Sequence, residues 1–167
     1  MKILIPKTSL VILCGPAACG KSTFARQHFR RTAVVSSDRC RAMLTDSEHA
    51  IWASPQAFEL FHLILDKRLR FGRLAVADST ALSKDARRTL RRIARNNGRP
   101  TVLIVFNIDR VTCLEQDRSR RRRVGTEIVD KHSERLAEVL NEIRHETYDA
   151  VYILNQKDVY RAKVIVE

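Results

Sequence analysis

Gly15-Pro16-Ala17-Ala18-Cys19-Gly20-Lys21-Ser22 is the segment whose residue types and spacing point most directly to chemistry. Glycines bracket it, a lysine and a hydroxyl close it, and Thr23 follows. A loop of this kind, entered from a strand and leaving into a helix, turns backbone N–H groups and the positive end of a helix dipole toward one point. The result is an anion site. In such loops the lysine reaches the β- and γ-phosphates of a nucleoside triphosphate such as ATP, and the hydroxyl serves Mg2+. Gly15 to Thr23 are therefore candidate nucleotide contacts, with Lys21 also a catalytic candidate and Ser22 a metal ligand. Cys19 reads as a small residue the loop tolerates, although a helix N-terminus can lower a thiol pKa.

Two carboxylates come next. Asp38 follows the apolar run Ala33–Ser36, and Asp78 follows Leu74–Ala77. Both would stand at strand C-termini, where open α/β sheets bind ligands, and both are candidate metal ligands. Arg41 lies three residues after Asp38. On the first turn of a helix that spacing puts the two groups on one face, where they could address one bound molecule or simply pair with each other. A third cluster is the run Arg118-Ser119-Arg120-Arg121-Arg122-Arg123 between two helical patterns. Cations placed on a moving phosphoryl group stabilise the charge on its equatorial oxygens.

The elements that must position these groups are legible from hydrophobic patterning. Short, fully apolar runs at Leu10–Cys14, Ala33–Ser36, Leu74–Ala77, Val102–Phe106 and Val151–Leu154 read as strands covered on both faces. Between them, helical patterns fall at Lys21–Arg30, Asp38–Leu44, Gln56–Phe71, Lys84–Asn96, Val111–Arg118 and Thr126–Glu146. Ser83 is placed to cap the fourth helix, and Asn97-Gly98 to stop it. In the last, Val129, Leu136, Leu140 and Ile143 form one stripe, with Glu134, Glu138 and Glu142 on another face. This alternation predicts an α/β fold of the P-loop NTPase type. It calls for a parallel sheet of about five strands, helices on both faces, and the phosphate loop after the first strand.

Composition sets the partners. The 167 residues fit one domain, 1–167. Lys plus Arg number 31 against 19 Asp plus Glu, a net charge of +12 that favours polyanions. The longest apolar runs fall far short of the roughly 20 residues of a spanning helix, and the N-terminus lacks a secretory pattern, so a cytoplasmic protein without membrane contact is expected. Cys14, Cys19, Cys40 and Cys113 show no CxxC pairing, which argues against zinc and for free thiols. Lys84, Arg88, Arg91 and Arg95, with Arg87, Arg92 and Arg99 nearby, are read as a solvated exterior face rather than a nucleic-acid track. Trp52, in the irregular stretch before Pro55, is suited either to the core or to stacking on an acceptor base.

Ser36-Ser37-Asp38-Arg39-Cys40-Arg41, together with Gly20-Lys21-Ser22-Thr23-Phe24-Ala25, resembles the 5′-OH polynucleotide kinases. In particular it is similar to the N-terminal kinase domain of bacterial polynucleotide kinase-phosphatase, an RNA end-healing and repair enzyme. The resemblance runs from Ile5-Pro6 to Val151–Asn155. It implies that Asp38 is the general base for a 5′-hydroxyl and that Arg41 holds a phosphate of the RNA or DNA acceptor. It also implies an Arg-rich helical lid in which two arginines four apart embrace the ATP phosphates. Arg120 matches the second of these, whereas the first falls on Gln116. Arg123 is taken as the substitute, with Arg118 in reserve. Where those enzymes tend to read Asp-x-Thr-Asn, this sequence has Asp78-Ser79-Thr80-Ala81, leaving Asp78 to orient Arg41 or to hold metal-bound water. Asn155 is a candidate nucleobase contact. Phosphatase and ligase-like domains accompany the kinase in the enzymes it resembles, so an excised domain is one expectation.

The expected activity is a Mg2+-dependent transfer of the γ-phosphate of ATP or another NTP to 5′-OH RNA or DNA ends. Two rivals share the loop. One is a P-loop kinase of a nucleoside, sugar nucleotide or antibiotic, with a closed acceptor pocket. The other is a nucleotide-dependent nucleic-acid-binding module that transfers nothing.

Overall fold

The computed structural model describes residues 1–167. Five parallel strands form the central sheet: β2 (Leu10–Cys14), β3 (Val34–Ser36), β4 (Ala75–Asp78), β5 (Thr101–Phe106) and β6 (Ala150–Leu154), in the order β3-β4-β2-β5-β6. Every strand predicted from the sequence is present, its ends shifted by at most one residue. Helices α1 (Lys21–His28), α2 (Ser37–Thr45), α3 (Ser54–Arg70), α4 (Lys84–Asn96), α5 (Arg110–Ser119) and α6 (Thr126–Glu142) connect the strands.

Residues of β2 alternate between two cores because helices cover both faces of the sheet. Leu10, Ile12 and Cys14 pack with Phe61, Leu65, Leu90 and Val139, whereas Val11 and Leu13 pack with Phe24, Phe29 and Cys113. On α3 the buried positions Ala57, Phe61, Leu65 and Leu69 repeat every four residues, giving one apolar stripe. Truncating Phe61, which is fully buried, would cost about 3–5 kcal/mol. Ser83 caps α4 by accepting from the Ala86 N–H, and Gly98 ends it with φ of 61°.

Two strands and one helix escaped the sequence reading. Lys2–Ile5 (β1) and Lys163–Val166 (β7) pair in parallel as a separate two-stranded sheet, and α7 (Gln156–Arg161) precedes β7. The phosphate loop therefore follows the second strand of the chain, although β2 is the first strand of the main sheet. Ile3 and Ile5 are fully buried against the Val11/Leu13 face. Their alternation with Lys2 and Leu4 is a strand period, but four residues are too few to separate it from a random tail.

The strand order positions the site. The connection from β4 through α4 to β5 passes over β2, so the loop leaving β2 emerges between β4 and β5 at the carboxyl edge. Register then pairs Leu13 with Asp78 and Asp78 with Ser36. Strand pairing alone thus brings the Gly15 loop, Asp78 and the start of α2 to one edge. No helix is long and apolar enough to cross a membrane.

Candidate active site

Close approach explains the first glycine of the loop. A Cβ on Gly15 would lie 2.9 Å from Phe106 Cβ and 3.1 Å from Cys19 Sγ, so only glycine lets the chain turn off β2 against β5. Gly20, at the N-cap of α1, has φ of 94°, a left-handed conformation that costs other residues about 1–2 kcal/mol. Ala18 is held at φ of 62° between them. The N–H groups of Ala18, Cys19, Gly20, Lys21, Ser22 and Thr23 find no acceptor within the chain. A run of free amides at a helix start fits a phosphate group. The half-buried amide of Ala17 is the exception, donating to His132 Nδ1 on α6 at 3.1 Å.

Lys21 is buried, and its ammonium donates to the carbonyls of Gly15, at 2.9 Å, and Pro16. Cys19 lies beside it, with Sγ 3.5 Å from Nζ. Burial outweighs that neighbouring charge and pushes the Cys19 thiol up. Cys14 and Cys113 are pushed up to about 12 by burial, and all four cysteines are free and buried. The helix N-terminus therefore does not make Cys19 a reactive thiolate.

Across the cleft, Ser36 caps α2 by accepting from the Arg39 N–H, which places Asp38 and Arg41 on the first turns. Arg41 Nη1 donates to Asp38 Oδ1 at 2.8 Å, and Arg122 Nη1 donates to Oδ2 at 2.7 Å. Burial favours a raised pKa for Asp38, but the hydrogen bonds and charges of Arg41 and Arg122 win and hold it below its ordinary value. Asp78 is the opposite case. Burial raises it, and the Ser22 hydroxyl and Lys21 charge only moderate the rise.

These groups line one cleft of about 510 Å³. Residues 17–24, Ser36 to Asp38, Asp78 to Thr80, and Gln116, Arg120, Arg122 and Val124 are among the residues that line it. Several expected contacts lie elsewhere. Arg41 does not line the cleft; it is buried behind Asp38, with Nε on Ser54 Oγ and Nη1 shared with the Glu48 carbonyl. In this structure its guanidinium holds the carboxylate. Arg123 is exposed and outside the lining, and Arg122 stands where Arg123 was expected. The Asn155 side chain caps α7 by accepting from the Asp158 N–H, while Gln156, Val159 and Tyr160 of that helix reach the cleft. Trp52 lies in a short 3-10 turn at Ile51–Ala53, is 79% exposed and is no part of the core.

The donor set can be tested for Mg2+. No group of three His, Cys, Asp or Glu side chains exists to hold a metal alone. Mg2+ commonly takes one or two protein oxygens and completes its shell with water and substrate phosphates, so Ser22 and Asp78 fit. Asp38 differs from Asp78 in that each of its oxygens carries a guanidinium in this structure.

Three residues were missed. His132 shares the apolar stripe of α6, three residues after Val129 and four before Leu136, so its inward direction was readable. Asp117, buried, accepts from the Val124 and Gly125 N–H groups and staples the arginine segment at its base. Its position just before the arginine run was the available signal. Arg122 could not be told from its neighbours, because consecutive arginines carry no periodicity.

A family model described as an AAA domain matches residues 10–146. No curated protein sequence matches the chain. Among solved structures, a putative kinase from Chloroflexus aurantiacus superposes with a TM-score of 0.65 at 14% identity, over 93% of this chain and 88% of that one. A chain of the Pnkp1/Rnl/Hen1 RNA repair complex gives 0.66 at 20% identity, over 82% of this chain and 46% of its own length. The Mycobacterium tuberculosis APS kinase CysC gives 0.58 at 13% identity, over 93% and 95%. At these identities the likenesses establish a shared P-loop kinase fold.

Proposed function

The chain belongs to the AAA domain family, and from that premise we propose that it is a polynucleotide 5′-hydroxyl kinase, moving the γ-phosphate of ATP or another NTP to RNA or DNA ends. The observation that carries the reading is Asp38, fixed by Arg41 at 2.8 Å and lining the same cleft as the phosphate loop. A carboxylate there is placed to take the proton of an attacking hydroxyl.

In this reading the free amides of Ala18 to Thr23 receive the donor phosphates. Lys21 moves from the Gly15 and Pro16 carbonyls to the β- and γ-oxygens. Asp38 orients the acceptor hydroxyl in line with the γ-phosphate and accepts its proton as the new O–P bond forms and the β–γ bridge bond breaks. Arg120, with Arg122, supplies positive charge to the transferring group. Mg2+ held by Ser22 and Asp78 would screen the phosphate charge. The exposed Met43 on α2, Ile51 and Trp52 in the turn that follows it, and the net charge of +12, suit a base-bearing, polyanionic acceptor. The likeness to the RNA-repair chain adds support, and under it this domain is one module of a longer end-healing protein.

One observation favours the rival small-molecule kinase. Arg122 bridges Asp38 and Glu48 and so narrows the acceptor side of the cleft. γ-Labelled ATP offered to 5′-OH oligonucleotides, to nucleosides and to no acceptor separates the readings. Label on oligonucleotides supports the proposal, label on nucleosides alone supports the rival, and binding of both ligands without transfer points to a non-catalytic module.

A further inference from the structure

Asp38 is held from two sides that differ in kind. Behind it, Arg41 is buried and fixed by Ser54 and the Glu48 carbonyl as well as by Oδ1. In front, Oδ2 meets Arg122, which reaches across the cleft from a segment 84 residues away and also touches the Glu48 carbonyl at 3.2 Å and its carboxylate at 3.4 Å. The backbone of the segment carrying Arg122 is anchored at its base alone. Asp117 grips the amides of Val124 and Gly125, whereas the N–H groups of Arg121, Arg122 and Arg123 make no hydrogen bond within the chain. Such a segment moves at little cost.

Two competitions meet at Arg122. An acceptor hydroxyl approaching Asp38 from the cleft competes with it for Oδ2. Phosphates on the loop compete with Asp38 for the guanidinium, since Arg122 lines the same cleft as Ala17 to Thr23. Arg122, itself 19% exposed, makes one contact at 2.7 Å to a carboxylate that is 42% exposed and two longer ones to Glu48. Bound phosphates set against these several charged oxygens in the bidentate geometry a guanidinium prefers, and the second competition favours them.

We infer that Arg122 is a donor-operated latch: it holds Asp38 until phosphates bound at the Gly15–Ser22 loop draw it off, so that arrival of the donor opens the carboxylate to the acceptor. The inference rests on the proposed reading of Asp38 as the acceptor-side residue. It makes Arg122 a positioning residue for the base and the lid cation that joins Arg120 where Gln116 carries no charge. Order of binding follows: donor first, acceptor second.

The chain has one tryptophan, Trp52, which lies four residues after Glu48 and serves as the probe of the release. Acrylamide quenching of Trp52 is measured with and without saturating Mg2+ and the non-hydrolysable β,γ-imido analogue of ATP. The proteins are the wild type, Arg122→Gln and, as a control for loss of one lid charge, Arg121→Gln. The latch predicts that the analogue shifts the quenching of wild type and Arg121→Gln, while Arg122→Gln starts at the shifted value and does not respond. Equal responses in all three overturn it, as does failure of the analogue to bind the wild type. Anisotropy of a labelled 5′-OH oligonucleotide supplies the second readout. The analogue should tighten wild-type binding about 10-fold and leave Arg122→Gln unchanged, a coupling of ordinary size for two linked sites. Should the oligonucleotide bind no form of the protein, the acceptor reading fails while the Trp52 response still judges the latch.

Discussion

Asp38 carries the proposed chemistry, and its surroundings decide how it works. Arg41 holds it from behind, so replacing Asp38 with asparagine removes the base while leaving the loop amides and Lys21 in place. Asp38→Asn should lower transfer about 10²–10⁴-fold with nucleotide affinity close to wild type, read by single-turnover transfer and by nucleotide titration. Near-normal transfer would mean that another group takes the proton. Gln116 offers a complementary test. It lines the cleft, and its Oε1 lies 3.9 Å from where a Cβ on Gly20 would stand. An arginine there would lie over the phosphate loop, so Gln116→Arg should give equal or higher kcat. A large loss would show that the lid is aligned wrongly. At Ala81 the departure from the resembling enzymes is milder than it first reads. The residue sits at φ of 46°, a left-handed position in which asparagine is enriched, so the backbone turn is kept and only an amide is missing.

At the scale of elements, the basic face of α4 is solvated as its sequence predicts, with Lys84, Arg88, Arg92 and Arg95 exposed. Arg87, beside that face, differs and has no exposed surface. It donates to the carbonyls of Ala81 and Leu82 and pairs with Glu142 at 2.6 Å and Glu146 at 2.8 Å, welding α4 to the end of α6 just behind the Asp78 loop. Spacing shows which residues share a helix face, but not which face meets a carboxylate two helices away in sequence. For the same reason Arg122 and the buried side of Arg41 were invisible, whereas the phosphate loop, Asp38, Asp78 and all six long helices were legible, because those depend on local pattern and strand register.

Removing one partner of a buried ion pair leaves the other charge stranded. Arg87→Met should therefore cost about 3–5 kcal/mol, measured by denaturant unfolding, and a loss under 1 kcal/mol would contradict the burial argument. The same network sets a pH dependence. Burial alone would raise Glu146, but hydrogen bonds from Arg87 and Tyr148 bring it below the ordinary value of 4.5. A depressed carboxylate stabilises the fold fully above 4.5, and that contribution is lost as pH falls through the lowered value. Thermal melts of Glu146→Gln should accordingly lie below wild type at neutral pH and show a flatter decline in acid. Parallel curves would assign the acid sensitivity elsewhere.

At the scale of the whole molecule, a strand order that opens the sheet edge at β2 places the loop, two carboxylates and an arginine segment around one cleft. The chain as a whole carries a net charge of +12, which favours polyanionic ligands. Under the proposed function the acceptor is larger than a metabolite, and affinity for it falls steeply with salt. The most direct measurement is kcat/KM for phosphate transfer from ATP to a 5′-OH oligonucleotide, set against the free nucleoside of its terminal base. A 5′-phosphate-dependent exonuclease verifies where the phosphate has gone. The account predicts a clear preference for the oligonucleotide, with product that the exonuclease degrades. Equal or better transfer to the nucleoside, or product that resists the exonuclease, would contradict it.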